Sequence, residues 1–251
     1  MLFGGHVRTA DDVPFLQALD FDFGEVAIVS AGRRAYWLET GLKNRFESGF
    51  FLLAHGPREG PPNDVDNLWN NYLPALKETI DVASTMEIRL LTVHLWVDPR
   101  FVKAVTRAEK KKLLHEAFEY GREHNVLVSL ENLSENASDL AEMVEAVPGL
   151  SITLDVGHGQ LLSEVNTSFG IIDDLFPSIR HLHFHDNRGG NGVKDDLHLP
   201  IGEGIIDFPA ILGRLMDKGY EGTATLELER EVLASSQVRM NKMVSQIRIG
   251  R

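Results

Sequence analysis

The chain has no cysteine and no long apolar run. None of its 251 residues is a cysteine. This excludes disulfides and thiolate metal ligands, so any metal must be held by His, Asp and Glu. No run of about 18 apolar residues occurs, and we therefore predict no membrane span. The N-terminus, MLFGGHVRTADD, lacks the basic, apolar and small-residue order of a signal peptide. We therefore expect a cytoplasmic protein.

Basic residues are also scarce relative to acidic ones. The chain has 25 Lys and Arg against 37 Asp and Glu, which gives a formal net charge of −12. Because phosphate binding needs Lys and Arg, this balance disfavours a nucleic-acid partner. A cluster of metal cations would offset the charge locally, so such a partner is not excluded. No Ser/Gly-rich linker, low-complexity tract or repeat is present, and we predict one domain over residues 1–251. A homo-oligomer is left open.

Short apolar stretches alternate with amphipathic ones along the whole chain. Eight of them have the length and composition of strands. They are residues 2–6, 24–29, 50–55, 89–95, 126–132, 151–156, 179–185 and 222–228. The helical stretches between them include residues 65–86, 106–124 and 135–147. We predict that Asp64, Thr106, Ser134 and Asp207 lie at helix N-termini, with Pro209 early in the last of these helices.

This alternation predicts an α/β protein, a single (β/α)8 TIM barrel. Strand and helix repeated eight times is the pattern of that fold, which typically takes about 250 residues. A doubly wound open sheet is the alternative. It is disfavoured because the first strand-to-helix turn, HVRTADD, carries no glycine fingerprint.

Polar side chains recur where the predicted strands end. In a TIM barrel the reactive groups lie at the C-terminal ends of the strands, so these side chains should meet at one mouth. They are His6, His55, His94, Glu131, Asp155, His158, His183, His185, Asp186, Glu227 and Glu229. Taken singly, a histidine at a strand end is more often a satisfied polar residue than a ligand, and a glutamate there is often a surface group. Taken together, imidazoles and carboxylates at strand after strand predict a divalent-metal site.

The stretch from residue 179 to residue 208 is the richest in such groups. His181, His183 and His185 share one face of a predicted strand. We place His181 deeper in the barrel and His183 at the mouth. The loop that follows carries Asp195, Asp196 and His198. Its GEG sequence is interpreted as a turn into the next helix.

The ordered motifs resemble the xylose-isomerase-like barrels. This superfamily contains sugar and sugar-phosphate isomerases and epimerases, and also endonuclease IV. The matching motifs are LEN at Glu131, LDVGH at Asp155, HFHDN at His183 followed by DLHLPIGEGIIDF, and GYEGTATLE ending at Glu227. The resemblance implies a metal-dependent isomerase or epimerase of a small sugar or sugar phosphate.

In the isomerase branch one divalent metal is held by Glu, Asp, His and Glu. The resemblance places these ligands at Glu131, Asp155, His183 and Glu227. It further implies that the two glutamates act as an acid/base pair. Arg188 and Arg58 are predicted as substrate contacts. Which sugar is bound, and whether it is phosphorylated, does not follow from the sequence.

The endonuclease IV branch holds three zinc ions, and every ligand type of that branch is present here. The corresponding residues are His55, His94, Glu131, Asp155, His158, His183, Asp196, His198 and Glu227. The resemblance therefore allows one to three ions, of Mn, Zn, Mg or Co. The alternative function is a zinc-dependent phosphodiesterase acting on abasic DNA. Against it, the loop after His55 has the sequence GPREG, with Arg58 near the place where endonuclease IV has a tyrosine that helps to probe the DNA. No long basic loop is present either.

Overall fold

The computed structural model describes residues 1–42 and 49–250. Within these ranges eight parallel strands close a barrel in chain order, and each strand is followed by a helix. The strands are β1 (Leu2–Val7), β2 (Phe23–Ala27), β3 (Phe51–His55), β4 (Leu90–His94), β5 (Leu127–Glu131), β6 (Ser151–Asp155), β7 (Ile179–Phe184) and β8 (Thr223–Leu226). Because β8 pairs with β1, the predicted TIM barrel is confirmed and the open sheet is wrong.

The helices form the outer layer of the barrel. They are α1 (Asp12–Ala18), α2 (Ala31–Thr40), α3 (Val65–Asn67), α4 (Leu73–Thr85), α5 (Ala104–Glu123), α6 (Ala137–Ala146), α7 (Ser168–Leu175), α8 (Phe208–Asp217) and α9 (Arg230–Ile249), with a π-helical turn (Leu68–Tyr72) joining α3 to α4. None of the helices in the described ranges combines the length and apolarity that a membrane crossing needs.

Two of the predicted helix starts are correct. The side chain of Asp64 accepts a hydrogen bond from the backbone of Asn67 at 3.0 Å. The side chain of Asp207 accepts one from Ala210 at 3.0 Å, and a proline lies in the first turn of α8. Both carboxylates thereby satisfy an N–H group that the helix itself leaves without a partner.

Three predicted boundaries next to helix starts are wrong by two residues. α5 begins at Ala104 and not at Thr106. The cap of α6 is Asn136, because the hydroxyl of Ser134 instead donates to Asp98 at 2.7 Å. β2 ends at Ala27 and not at residue 29, because the chain already turns towards Ser30, which caps α2.

The inside of the barrel changes from apolar to polar towards the C-terminal ends of the strands. Phe23, Leu53 and Leu90 form a small buried apolar cluster. Gly4 makes room for it, since a Cβ there would lie 2.3 Å from the Phe23 ring. Beyond it Thr153 contacts the hydroxyl of Thr92 at 3.0 Å. This hydrogen-bonded layer lies between the apolar cluster and the polar residues at the C-terminal ends of the strands.

The loop after β7 folds back onto its own base. The backbones of Asp186 and Leu199 exchange hydrogen bonds of 2.9 and 2.8 Å. The buried carboxylate of Asp186 accepts the N–H of Gly204 at 2.9 Å. A Cβ at Gly204 would lie 2.2 Å from that carboxylate, so the predicted GEG turn requires glycine there. Asp186 thus closes the loop that carries Asp196 and His198.

Candidate metal centre

Four buried side chains from four neighbouring strands converge at the C-terminal end of the barrel. They are Glu131 of β5, Asp155 of β6, His183 of β7 and Glu227, which follows β8 directly. Their ligand atoms all lie within 4.8 Å of one another. Nδ1 of His183 is 3.1 Å from Oε1 of Glu131, 3.3 Å from Oε1 of Glu227 and 3.8 Å from Oδ2 of Asp155. We call these four residues the primary group.

A second group shares Glu131 with the primary group. Nε2 of His55 lies 3.2 Å, and Nε2 of His94 2.7 Å, from Oε2 of Glu131. The other oxygen of this carboxylate faces His183 of the primary group. Glu131 therefore presents one oxygen to each of the two groups, and it would contribute to both if each group held a cation.

A third group lies beside the primary group, and its members are His158, His185, Asp196 and His198. Oδ2 of Asp196 is 3.6 Å from Nε2 of His158 and 3.3 Å from Nε2 of His198. The φ angle of His198 is 45°, a left-handed conformation that costs a non-glycine residue on the order of 1 kcal/mol. All nine residues for which the sequence predicts metal binding therefore come together at the mouth.

His185 has a different relation to this group. Its ring stacks on that of His198 at 3.8 Å with only 11° between the planes. Because a metal lies in the plane of each imidazole that binds it, two parallel stacked rings cannot share one cation. Nε2 of His185 lies 3.2 Å from Oδ1 of Asp155. We therefore do not count His185 with His158, Asp196 and His198, although both of its ring nitrogens are buried and have no hydrogen-bond partner in the described part of the chain.

The residues fit a divalent cation. Oδ2 of Asp155 and Oδ1 of Asp196 are buried and have no hydrogen-bond partner within the described part of the chain. Leaving a buried carboxylate oxygen without a partner is costly, and such groups in native proteins normally mark a bound ion or water. Imidazole nitrogens and carboxylate oxygens are the donors that Zn, Mn and Co accept.

Charge is strongly coupled within the primary group. Burial disfavours the charged imidazole of His183, but the carboxylates of Glu227 and Glu25 outweigh it and raise its pKa well above 6.5. Burial likewise disfavours ionised Glu131, yet neighbouring imidazoles, first among them that of His94, hold its pKa well below 4.5. In the metal-free molecule the raised pKa of His183 keeps a proton on its imidazole that offsets the buried carboxylates, so binding of a cation there would release that proton.

The other polar residues predicted at the strand ends lie around these groups. His6 contacts Oε1 of Glu227 at 3.0 Å. Glu229, which was predicted at the mouth, is exposed outside the barrel and forms an ion pair of 2.7 Å with Arg8. Arg58 and Arg188 are exposed on the loops after β3 and β7, and neither forms a hydrogen bond or ion pair in the described part of the chain.

Glu25 was missed by sequence reasoning. It lies in the middle of β2, is fully buried, and contacts His181 and His183 from the side opposite the primary group. The signal that was available is a single carboxylate inside an otherwise apolar predicted strand. Burying such a charge is costly unless it is paired.

The stability of the metal-free protein should fall as the pH rises from 6.5 to 9. Burial by itself lowers the pKa of His55, but the carboxylate of Glu131 has the larger opposite effect. The net result is a pKa raised from its ordinary 6.5 to about 9. A pKa raised by folding adds stability that is complete below the unfolded value and lost as the pH passes the folded one. Thermal unfolding in chelator, followed by circular dichroism at several pH values, measures this. His55→Gln should flatten the profile, and an unfolding temperature that rises over this window would contradict the assignment.

Fold and site together define a TIM barrel with a buried histidine–carboxylate centre at the C-terminal ends of its strands. Residues 14–243 match the family described as xylose isomerase-like TIM barrel. The chain belongs to this family, as its motifs predicted.

Three known proteins are similar to this chain. Fructoselysine 3-epimerase of Shigella flexneri is 32% identical over 95 residues, which are 37% of this chain and 32% of the epimerase. A solved D-tagatose 3-epimerase-like protein has a TM-score of 0.81 at 22% identity and covers 100% of this chain and 99% of its own. The TTHB071 protein of Thermus thermophilus, soaked with ZnCl2, has a TM-score of 0.78 at 22% identity, with 98% and 99% covered.

Proposed function

We propose that this chain is a divalent-metal-dependent isomerase or epimerase of a small sugar or sugar phosphate. One observation carries the proposal: two buried glutamates, Glu131 and Glu227, approach the same nitrogen of His183 at 3.1 and 3.3 Å. Proton transfer beside a carbonyl needs such a pair of carboxylates around a common centre. The epimerase names of two similar proteins support a sugar as the substrate.

In this proposal the primary group holds the cation. A divalent cation bound there would polarise the substrate carbonyl and stabilise the negative charge that develops beside it. One glutamate, ionised, would take the proton from the carbon next to the carbonyl and become a carboxylic acid, and the other, carrying a proton, would return it to that carbon and be left ionised. His6, in contact with Oε1 of Glu227, orients that carboxylate.

We propose that the centre accepts more than one ion. Five carboxylates belong to the three groups or, in the case of Glu25, lie directly beside them. All are buried except that of Asp196, which is partly exposed. Because histidines that bind a metal are neutral, the carboxylates carry the negative charge that cations must offset. One dication offsets two of these charges and two dications offset four. The five are Glu25, Glu131, Asp155, Asp196 and Glu227. Zn, Mn, Co and Mg remain the candidates, because mixed N and O donors accept several divalent ions.

A second candidate function is a zinc-dependent phosphodiesterase that acts on abasic DNA. The specific observation in its favour is the presence of the second and third groups beside the primary one, since adjacent cations suit phosphodiester cleavage. The net charge of −12 opposes it, because a DNA-binding surface needs basic residues.

The cytoplasmic location, the single domain and any homo-oligomer stay predictions.

Metal content and substrate together separate the two candidates. Protein purified without chelator would be assayed by elemental analysis, then tested on ketopentoses, ketohexoses and their phosphates, and on a duplex with one abasic site. Metal-dependent conversion of a sugar, with no nicking of the DNA, is the expected result. Three Zn per chain, with nicking and no sugar conversion, would establish the phosphodiesterase instead.

Arg58→Ala is expected to raise KM and to leave the unfolding temperature unchanged. The guanidinium is exposed on the loop after β3, so its removal breaks no hydrogen bond of the described fold. Arg188→Ala should behave in the same way on the loop after β7. Steady-state kinetics with the sugar found in the panel, beside thermal unfolding, measures both quantities. A KM equal to that of the wild type across all substrates would remove Arg58 from the binding site.

A further inference from the structure

Glu25 lies inside the barrel next to the primary group. It contacts the ring of His183 on the side away from the other three residues of that group. Its side chain is fully buried. Oε2 of Glu25 lies 3.1 Å, and Oε1 3.3 Å, from Nε2 of His183. The other ring nitrogen, Nδ1, is the one that faces Glu131, Asp155 and Glu227. The imidazole thus lies between one carboxylate below and three carboxylates above.

This arrangement selects one tautomer of His183. A neutral imidazole carries one proton, and the nitrogen without the proton binds the metal. A carboxylate accepts hydrogen bonds and cannot donate them when ionised. Glu25 therefore holds the proton on Nε2 and leaves the lone pair of Nδ1 directed at the primary group. The opposite tautomer would place the lone pair of Nε2 against the oxygens of Glu25.

Glu25 is itself held in place from the other side. Nε2 of His181 lies 3.4 Å from Oε2 of Glu25. Nδ1 of His181 contacts the hydroxyl of Thr223 at 2.7 Å, which fixes the ring of His181. The chain of contacts from Thr223 through His181 to Glu25 and His183 runs through the polar interior of the barrel. Its rigid strands leave the carboxylate no exposed position to which it could turn.

We propose that Glu25 is a positioning residue that fixes the tautomer and orientation of His183 and thereby strengthens cation binding by the primary group. The inference rests on the proposed metal centre, and it adds a residue that no ligand motif contains. Carboxylates that accept the outer N–H of a metal-binding histidine commonly change metal affinity by about 10- to 100-fold. Glu25 acts through His183 and does not itself contact the cation.

The test measures Zn2+ affinity and not turnover. Full-length metal-free protein competes for Zn2+ with a chromophoric chelator at fixed pH. Glu25→Gln keeps the size of the side chain and removes its charge, and we expect the Kd for the tightest Zn2+ to rise about 10- to 100-fold. The matched control is Glu135→Gln, another fully buried glutamate, whose carboxylate accepts backbone N–H groups such as those of Val97 and Leu133 and not the imidazole of His183. Its Kd should stay within about twofold of the wild type.

A second measurement uses the wild-type protein and does not depend on the folding of a variant. In Zn2+-loaded protein, nitrogen NMR of the imidazoles should find the proton of His183 on Nε2. A proton on Nδ1 overturns the proposal, as does an unchanged Kd in Glu25→Gln or an equal loss in Glu135→Gln. If the wild type binds no Zn2+, the metal centre itself fails. If the wild type binds and only the Glu25 effect is missing, the proposed function stands without this residue.

Discussion

Glu227→Gln is expected to lower kcat by about two to four orders of magnitude, and Glu131→Gln by a similar factor. Glutamine keeps the shape of each side chain and an oxygen that can still contact a cation, but it cannot accept the proton. The loss should therefore appear in kcat more than in KM, provided that the assay is run at saturating metal. Initial rates with the sugar identified in the panel, together with the metal content of each variant, give the answer.

The chain supplies a matched control for this experiment. Glu229 lies two residues beyond Glu227, but it is exposed and forms an ion pair with Arg8. Glu229→Gln removes the same charge close to the mouth and should leave kcat within about twofold of the wild type, since an exposed ion pair contributes little. Rates near the wild-type value in both Glu131→Gln and Glu227→Gln would contradict the acid/base assignment.

Removal of the metal is expected to have the second large effect. Chelator-treated protein should lose at least about a hundredfold in rate and regain it with Mn2+, Co2+, Zn2+ or Mg2+. Metal should also stabilise the fold, because it binds only the folded arrangement of the ligands. At a free metal concentration of about 100 times Kd the gain is about 2.7 kcal/mol. For a chain of this size that raises the unfolding temperature by about 5–10 °C.

His183→Ala removes a residue of the primary group and should reduce this thermal shift. His115→Ala, on the exposed face of α5, should retain it in full. Scanning calorimetry with and without added metal compares the two variants. A wild-type unfolding temperature that does not respond to any of the four ions would be incompatible with a metal centre.

Much of the fold followed from local patterns. Strand-length apolar stretches, alternating with amphipathic ones, predicted all eight strands with every end within two residues. The barrel fold then predicted where side chains at strand ends would meet. Glu131 and Glu227 could be placed together from sequence because the C-terminal ends of parallel barrel strands share one face. The same reasoning placed His181 below His183, and the structure has it there.

The features that could not be predicted from the sequence depend on strand registers and on the paths of loops. No local sequence pattern encodes either of these. Glu25 lies in the middle of β2, and only the stagger of neighbouring strands brings it under His183. Asp186 and Asp196 stand ten positions apart in one polar stretch. The fold uses the first to close the loop and the second to line the mouth. The cap of α6 shifted to Asn136 because a distant residue, Asp98, binds the hydroxyl of Ser134.

Proton exchange in D2O tests the central claim most directly. Metal-loaded wild-type protein would be incubated in D2O with each ketose of the panel and followed by proton NMR. The proposed function predicts that at least one ketose gains deuterium at the carbon next to its carbonyl while signals of its epimer or isomer appear, and that chelator stops both. Absence of deuterium from every ketose, in protein that carries its metal and nicks abasic DNA, would contradict it.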